Sequence, residues 1–175
     1  MLFSWCCLLL SVACTATNTT TNTPPPAPTD DVAMALHGSC ALPNTYPTDE
    51  ETIQAVIEAE ANFVVTQEIL ALMQLWNDGA SVTDAKHTPL DPTDDQRWLD
   101  KDAIRHRYVR TVFPGAPTQI TPKDLVITVH DTQAIITSTT QINNEISPAG
   151  DRWVLSKEGN CWGIESLTYN LETQQ

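Results

Sequence analysis

The sequence predicts an α+β domain in which about three helices come first and an antiparallel sheet follows. Apolar residues recur at helical spacing in two stretches between residues 48 and 76 and in a third after Asp100. Beyond Gly115 the apolar residues instead fall in short β-branched runs separated by turn residues. Because the helices are grouped ahead of the strands, this order favours α+β over a parallel sheet built from alternating strands and helices.

The first two helices are bounded by local signals. Thr48 is a good N-cap residue, and Glu51 stands three residues later as its capping-box partner. The apolar stripe of this first helix is interrupted by a single carboxylate, Glu60. A second helix is predicted from about Gln67 to Trp76, and Asn77-Asp78-Gly79 ends it.

The third helix and the strands occupy the rest of the chain. Residues 85–97 form a polar loop with two prolines, and Asp100 is then a suitable N-cap for a helix through about Phe113. Glu158-Gly159-Asn160 is predicted to make a hairpin turn between the last two strands. The predicted strands are 80–84, 125–129, 134–142, 152–157 and 161–169.

The N-terminal segment predicts export. Residues 1–13, MLFSWCCLLLSVA, carry no charge and end on small residues before Cys14, as the apolar region of a secretory signal does. This run is shorter than the roughly 20 residues that a membrane-spanning helix needs. The stretch from Leu10 to Cys14 resembles the lipid-attachment motif of bacterial lipoproteins, which implies that Cys14 is lipidated and becomes the mature N-terminus. Two alternatives to lipidation stay open: the leader is cleaved and the protein is secreted, or the leader is not cleaved.

A tether is predicted between the leader and the domain. Residues 15–30, TATNTTTNTPPPAPTD, are rich in Thr and Pro and contain Ala as the only apolar type, so they cannot build a core. A merely disordered start makes the same structural prediction. The predicted organisation is a signal peptide over 1–13, a lipid-attachment Cys and tether over 14–42, and one folded domain over 43–175.

The cysteines predict a disulfide. Of the five cysteines, Cys40 and Cys161 remain once the leader is removed and Cys14 carries lipid. An even pair in an exported chain favours a Cys40–Cys161 bond, with two buried free thiols as the alternative. Two cysteines and four scattered histidines lack the spacing of zinc ligands. The sequence therefore predicts neither a metal nor a cofactor.

The charge balance excludes one class of partner. The chain has 22 acidic and 9 basic residues, a formal net charge of −13. Nucleic-acid binding depends on Lys and Arg neutralising phosphates, so a nucleic-acid partner is excluded. All nine basic residues and all but two of the acidic ones lie from Pro43 onward, so the folded domain itself is acidic. Membrane contact is therefore expected through the N-terminal lipid only.

Three stretches carry a resemblance to a known family. They are LWNDGASVTD over 75–84, WLDKDAI over 98–104, and RWVL over 152–155 together with WGIESL over 162–167. In this order they resemble the nuclear transport factor 2-like superfamily, which includes ketosteroid isomerase, scytalone dehydratase and SnoaL-like polyketide cyclases. The resemblance implies a strongly curved antiparallel sheet wrapped around the helices as a cone-shaped half-barrel with an apolar cavity. It also implies a homodimer formed through the sheet.

The resemblance implies candidate catalytic residues. Asp84 falls at the end of the first strand, where enzymes of the family carry a general base, and His87 could share its acid and base work. Glu60 falls where ketosteroid isomerases carry a Tyr that stabilises the enolate. Asp151 falls near their late-strand Asp, but it is predicted to be ionised in a turn beside Arg152. The incomplete set for binding an oxyanion argues against isomerisation.

Other residues are candidates for lining a pocket, with core packing or solvent exposure as the alternative. Arg105 and Arg110 could form an anion-binding mouth, although the alternation of acids and bases favours a solvated face. His87 and His106 are expected at the surface. The candidate pocket residues are Glu60, Trp76, Trp98, Tyr108 and Trp153.

The leading hypothesis is a cell-envelope protein, lipid-anchored and extracytoplasmic or else secreted. Its domain would bind an unknown small molecule or protein partner through its cavity or sheet, with no assigned catalysis. One alternative is a SnoaL-like isomerase, cyclase or dehydratase with Asp84 as general base. The other is a homodimeric assembly module that binds no ligand.

Overall fold

The computed structural model describes residues 40–43, 46–143 and 145–173, without the side chains of residues 145–149. The predicted signal peptide, Cys14 and the tether as far as residue 39 lie outside these ranges. The helices are α1 (Asp49–Thr66), α2 (Ile69–Gln74) and α3 (Lys101–Arg107). The strands are β1 (Trp76–Asp84), β2 (Gln96–Leu99), β3 (Ile120–His130), β4 (Gln133–Ile142), β5 (Glu145–Glu158) and β6 (Cys161–Tyr169).

The first helix begins as the sequence predicts, and the second is shorter. The capping box is formed, because the Thr48 hydroxyl accepts from the Glu51 N–H while the Glu51 carboxylate accepts from the Thr48 N–H. Gln67 takes a left-handed conformation with φ of 57° and ends α1. At the other end of α2, Trp76 already pairs with Ile164 in the sheet, so the predicted helix over 67–76 shortens at both ends.

The third helix changes its winding before it ends. Asp100 caps α3 through a bond from the Ala103 N–H at 2.8 Å. The predicted α-helix to Phe113 gives way to a π-helical turn over Tyr108–Val112, in which the Phe113 N–H donates to the Tyr108 carbonyl, and then to a 3₁₀ turn over Phe113–Gly115. Such π turns often lie at functional sites, and this one begins at Tyr108.

The sheet has six strands in the order β2-β1-β6-β5-β4-β3. Strands β3 to β6 form the predicted antiparallel meander, but β1 pairs with β6 in parallel, so the sheet is mixed rather than wholly antiparallel. The sequence places residues 96 and 97 in the polar loop and residues 98 and 99 just before the third helix. In the structure, residues 96–99 instead form strand β2, which pairs with β1. Pairings of this kind join distant segments, so local patterns do not reveal them.

The core lies between α1, α2, α3 and one face of the sheet. Its largest fully buried side chains include Trp76, Tyr108, Ile57, Leu72 and Leu155. The predicted α+β class and the arrangement of a sheet around helices are confirmed. Within the described ranges, none of the helices combines the length and the apolar character needed to cross a membrane.

The predicted disulfide between Cys40 and Cys161 is present. It joins the segment before α1 to the first residue of β6, across 121 positions of sequence. Ala41 and Leu42 pack against the core beside it, so residues 40–42, placed in the tether by their composition, belong to the folded domain.

Candidate ligand-binding pocket

An open pocket of about 220 Å³ lies between α1, the π turn and the end of the sheet formed by β4, β5 and β6. Most of the pocket wall is apolar, but Glu60, Arg107, Tyr108 and Asp151 add charged or ionisable groups to it. The residues lining it are Glu60, Val64, Arg107, Tyr108, Val112, Thr140, Ile142, Asp151, Trp153, Leu167 and Tyr169.

Glu60 and Tyr108 form a buried hydrogen-bonded pair. Glu60 is the carboxylate that interrupts the apolar stripe of α1, and Tyr108 opens the π turn. The Tyr108 hydroxyl donates to Glu60 Oε1 at 2.6 Å. Burial raises the pKa of Glu60 to about 7, although the Tyr108 hydrogen bond and the Arg107 charge oppose the rise. Burial and the nearby Glu60 charge hold the pKa of Tyr108 well above its usual value.

Asp151 is a second buried carboxyl at the same pocket. The prediction that it lies in a turn is wrong, because Asp151 lies within β5 opposite Ser138 of β4, where it accepts a hydrogen bond from the Thr140 hydroxyl. Burial raises the pKa of Asp151, and hydrogen bonds from Thr140 and Ser138 only partly offset this effect. The pocket therefore holds two acids that favour their neutral forms more than ordinary surface carboxyls do.

Arg107 contributes a cation that is held by aromatic rings. Its guanidinium carbon lies 5.1 Å from the ring centre of Trp98, 5.4 Å from that of Tyr108 and 4.8 Å from that of Tyr169. Its Nε is buried and has no hydrogen-bond partner in the part of the chain that the structure describes. None of the four salt bridges within that part includes Arg107.

The predicted pocket residues divide into three groups. Glu60, Tyr108 and Trp153 line the pocket. Trp76 is a core residue behind it, with its ring centre 6.2 Å from that of Tyr108 and 6.5 Å from that of Trp153. Trp98 does not line the pocket and instead stacks on the Arg107 guanidinium.

Asp84 is not among the residues lining the pocket and is engaged elsewhere. Its carboxylate forms a salt bridge with Lys86 Nζ at 2.7 Å and accepts from Asn170 Nδ2 at 2.6 Å. Burial alone would raise the pKa of Asp84, but the hydrogen bonds from Lys86 and Asn170 and the Lys86 charge lower it below its usual value. A base held in its ionised form by these partners has little driving force to accept a proton.

The two histidines lie away from the pocket. His87 takes a left-handed conformation with φ of 64°, and its Nδ1 lies 2.8 Å from the Glu172 carbonyl oxygen. His106 is exposed on α3, as the sequence predicts. Neither contributes to the lining, and the catalytic roles implied for Asp84 and His87 stay predictions.

Arg107 is not among the residues predicted from the sequence, in which Arg105 and Arg110 are the candidates for an anion-binding pair. Those two side chains are exposed, and Arg107 alone of the three lines the pocket. A signal was present, since Arg107 stands three residues after the buried Ile104 and directly before Tyr108, on the inner face of the helix. Across residues 40–43, 46–143 and 145–173, no group of three or more acidic, His or Cys side chains could hold a metal ion.

No protein-family model matches the sequence, and a search of curated proteins finds no relative. Solved structures do resemble the fold. An NTF2-like protein with a cystatin-like fold from Novosphingobium aromaticivorans is 14% identical with a TM-score of 0.54, over 69% of this chain and 80% of that one. A protein of unknown function from Mycobacterium tuberculosis is 13% identical with a TM-score of 0.54, over 82% of this chain and 75% of that one.

A third similar structure is an enzyme. The hexachlorocyclohexane dehydrochlorinase LinA-type3 from Novosphingobium barchaimii is 11% identical with a TM-score of 0.53, over 69% of this chain and 84% of that one. Likeness at this level of identity shows the shape of the chain and leaves the chemistry to be argued from the site. The domain therefore has the nuclear transport factor 2-like fold, as the sequence motifs led us to expect.

Proposed function

We propose that the domain binds a small molecule in the pocket between α1, the π turn and the sheet. The observation that carries this proposal is the convergence of Glu60, Arg107, Tyr108 and Asp151 on a mostly apolar pocket of about 220 Å³. Small-molecule sites commonly combine apolar walls with a few polar groups that orient the ligand. The ligand that fits has an apolar body and a polar end that lies among these four side chains.

A second candidate function is proton transfer in the same pocket. The fold is shared with a dehydrochlorinase, and an acid with a pKa near 7 can both donate and accept a proton at neutral pH. In this alternative Glu60 is the acid–base residue and Tyr108 is its hydrogen-bonding neighbour. Asp84 is the weaker candidate because its carboxylate is already paired with Lys86 and Asn170.

Binding can be tested with 2-naphthamide, a neutral probe with an aromatic body and a polar end. Added to the purified protein, it should shift the NMR signal of the Trp153 indole N–H, with a Kd below about 1 mM. The Trp162 indole N–H is an internal control, because it donates to Asp49 and Trp162 does not line this pocket. Val112→Trp should weaken binding at least tenfold by filling the pocket.

The matched control for that variant is Val109→Trp, because Val109 belongs to the same turn but is exposed and does not line the pocket. It should bind 2-naphthamide as the wild type does. The proposal fails if the Trp153 signal does not move, or if the Trp153 and Trp162 signals move equally. It also fails if Val112→Trp binds the probe unchanged.

We propose in addition that the protein is exported and held at a membrane by lipid on Cys14. The uncharged leader and the Cys40–Cys161 disulfide support this proposal, since disulfides persist in oxidising compartments. Mass spectrometry of protein extracted from membranes should find a mature chain that starts at Cys14 and carries lipid. Cys14→Ser should abolish this species, and Cys7→Ser should leave it unchanged. A mature chain without lipid would contradict the proposal.

A further inference from the structure

We infer that the ligand of this pocket is an apolar carboxylic acid whose carboxylate binds the Arg107 guanidinium while its body lies against the apolar wall. This inference rests on the proposed small-molecule binding and names the chemical class of the ligand. Four observations support it: the unused donors of Arg107, the commitment of the pocket's own acids, the shape of the guanidinium and the nature of the wall.

The first observation is that the Arg107 guanidinium has N–H groups that are free to donate hydrogen bonds to a ligand. A guanidinium presents five N–H donors, and Arg107 Nε is buried without a partner among the described residues. Leaving a buried donor unpaired costs free energy, and a bound carboxylate that accepts from the other N–H groups of the guanidinium would offset part of that cost. The rings of Trp98, Tyr108 and Tyr169 surround the guanidinium and hold it in place without using its N–H groups.

The second observation is that the pocket's own acids do not neutralise this cation. Glu60 accepts from the Tyr108 hydroxyl, and Asp151 accepts from the Thr140 hydroxyl. Neither forms a salt bridge with Arg107, although all three line the pocket. Because burial favours the neutral forms of Glu60 and Asp151, a bound anion meets less repulsion from them than from ordinary carboxylates.

The third and fourth observations select the class of anion. A planar guanidinium fork matches a planar carboxylate through two parallel hydrogen bonds. A phosphate dianion would need more positive charge than this pocket supplies, since Arg105 and Arg110 are exposed and do not line it. The apolar part of the wall can hold an apolar body. It is formed by Val64, Val112, Ile142, Trp153 and Leu167.

The test compares 2-naphthoate with 2-naphthamide, two probes that differ in the charge of the polar end. The purified protein is titrated with each probe at pH 6, and binding is monitored by the NMR signal of the Trp153 indole N–H. Naphthoate should bind at least tenfold more tightly than naphthamide. Arg107→Gln should remove this preference, because it should weaken naphthoate binding at least tenfold more than it weakens naphthamide binding. Arg105→Gln, an exposed arginine of the same helix, should retain the preference.

A measurement without any substitution covers the case in which Arg107→Gln fails to fold. Naphthoate should bind the wild-type protein more weakly at pH 8 than at pH 6, because Glu60 ionises in this range and its charge repels the anion, while naphthamide binding should change less. Equal affinity for the two probes overturns the inference and leaves the proposed function standing. Binding of neither probe overturns both. A naphthoate preference that survives in Arg107→Gln, or that is the same at pH 6 and pH 8, also overturns the inference.

Discussion

Removing the Cys40–Cys161 disulfide should lower the free energy of unfolding by about 4 to 5 kcal/mol. The bond closes a loop that spans 121 positions and contains helices α1 to α3 and strands β1 to β5, so its loss frees a large part of the unfolded chain. The double variant Cys40→Ala/Cys161→Ala isolates the effect. Its unfolding in urea, compared with that of the wild type at neutral pH, gives the difference directly.

Reduction of the wild-type protein is the matched control, because it breaks the same bond without changing a residue. The reduced protein and the double variant should unfold at similar urea concentrations. Equal stability of the double variant and the oxidised wild type would show that the bond does not constrain the chain as described. Two free thiols in the purified exported protein would contradict the bond itself.

The stability of the protein should fall as the pH rises from about 4.5 to 7, by about 3 kcal/mol from Glu60 alone. Burial raises the pKa of Glu60 from 4.5 to about 7, so the folded state retains a proton that the unfolded state loses in this window. The raised pKa of Asp151 acts in the same direction. Asp49 and Asp84 have lowered pKa values, and their stabilisation is lost only below about 3.8.

Glu60→Gln tests this prediction because an amide cannot ionise and can still accept the Tyr108 hydrogen bond. Urea unfolding at several pH values should show a flatter profile than the wild type, similar stability near pH 4.5 and greater stability at pH 8. Glu58→Gln is the control, since Glu58 is exposed on the same helix. Parallel pH profiles for Glu60→Gln and the wild type would contradict the effect of burial on the Glu60 carboxyl.

Much of the fold could be predicted because its signals are local. The capping box at Thr48, the N-cap at Asp100 and the turn at Gly159 are short patterns, and each appears in the structure. The parallel pairing of β1 with β6 and the strand β2 depend on distant partners. The π turn at Tyr108 arises where the third helix packs against the core. The spacing of apolar residues along the sequence does not predict this change in helix type.

The site was predictable in part. Glu60 stood out as the one carboxylate in an apolar stripe, and the resemblance pointed to the same position. Asp151 also followed from the resemblance, but its predicted place in a turn beside Arg152 is wrong, because β5 extends through it. Arg107 is hard to recognise among alternating acids and bases that are mostly exposed, because only packing shows which of the three arginines faces inward.

The central claim is that the buried Glu60–Tyr108 pair and Arg107 line one pocket that a ligand enters. Carbon-13 NMR titration of the Glu60 carboxyl carbon tests this claim most directly, with and without saturating 2-naphthoate. We expect the free protein to titrate near pH 7 and the bound anion to move the midpoint higher, because a nearby negative charge disfavours ionisation. A midpoint near 4.5 that naphthoate does not change would contradict the claim.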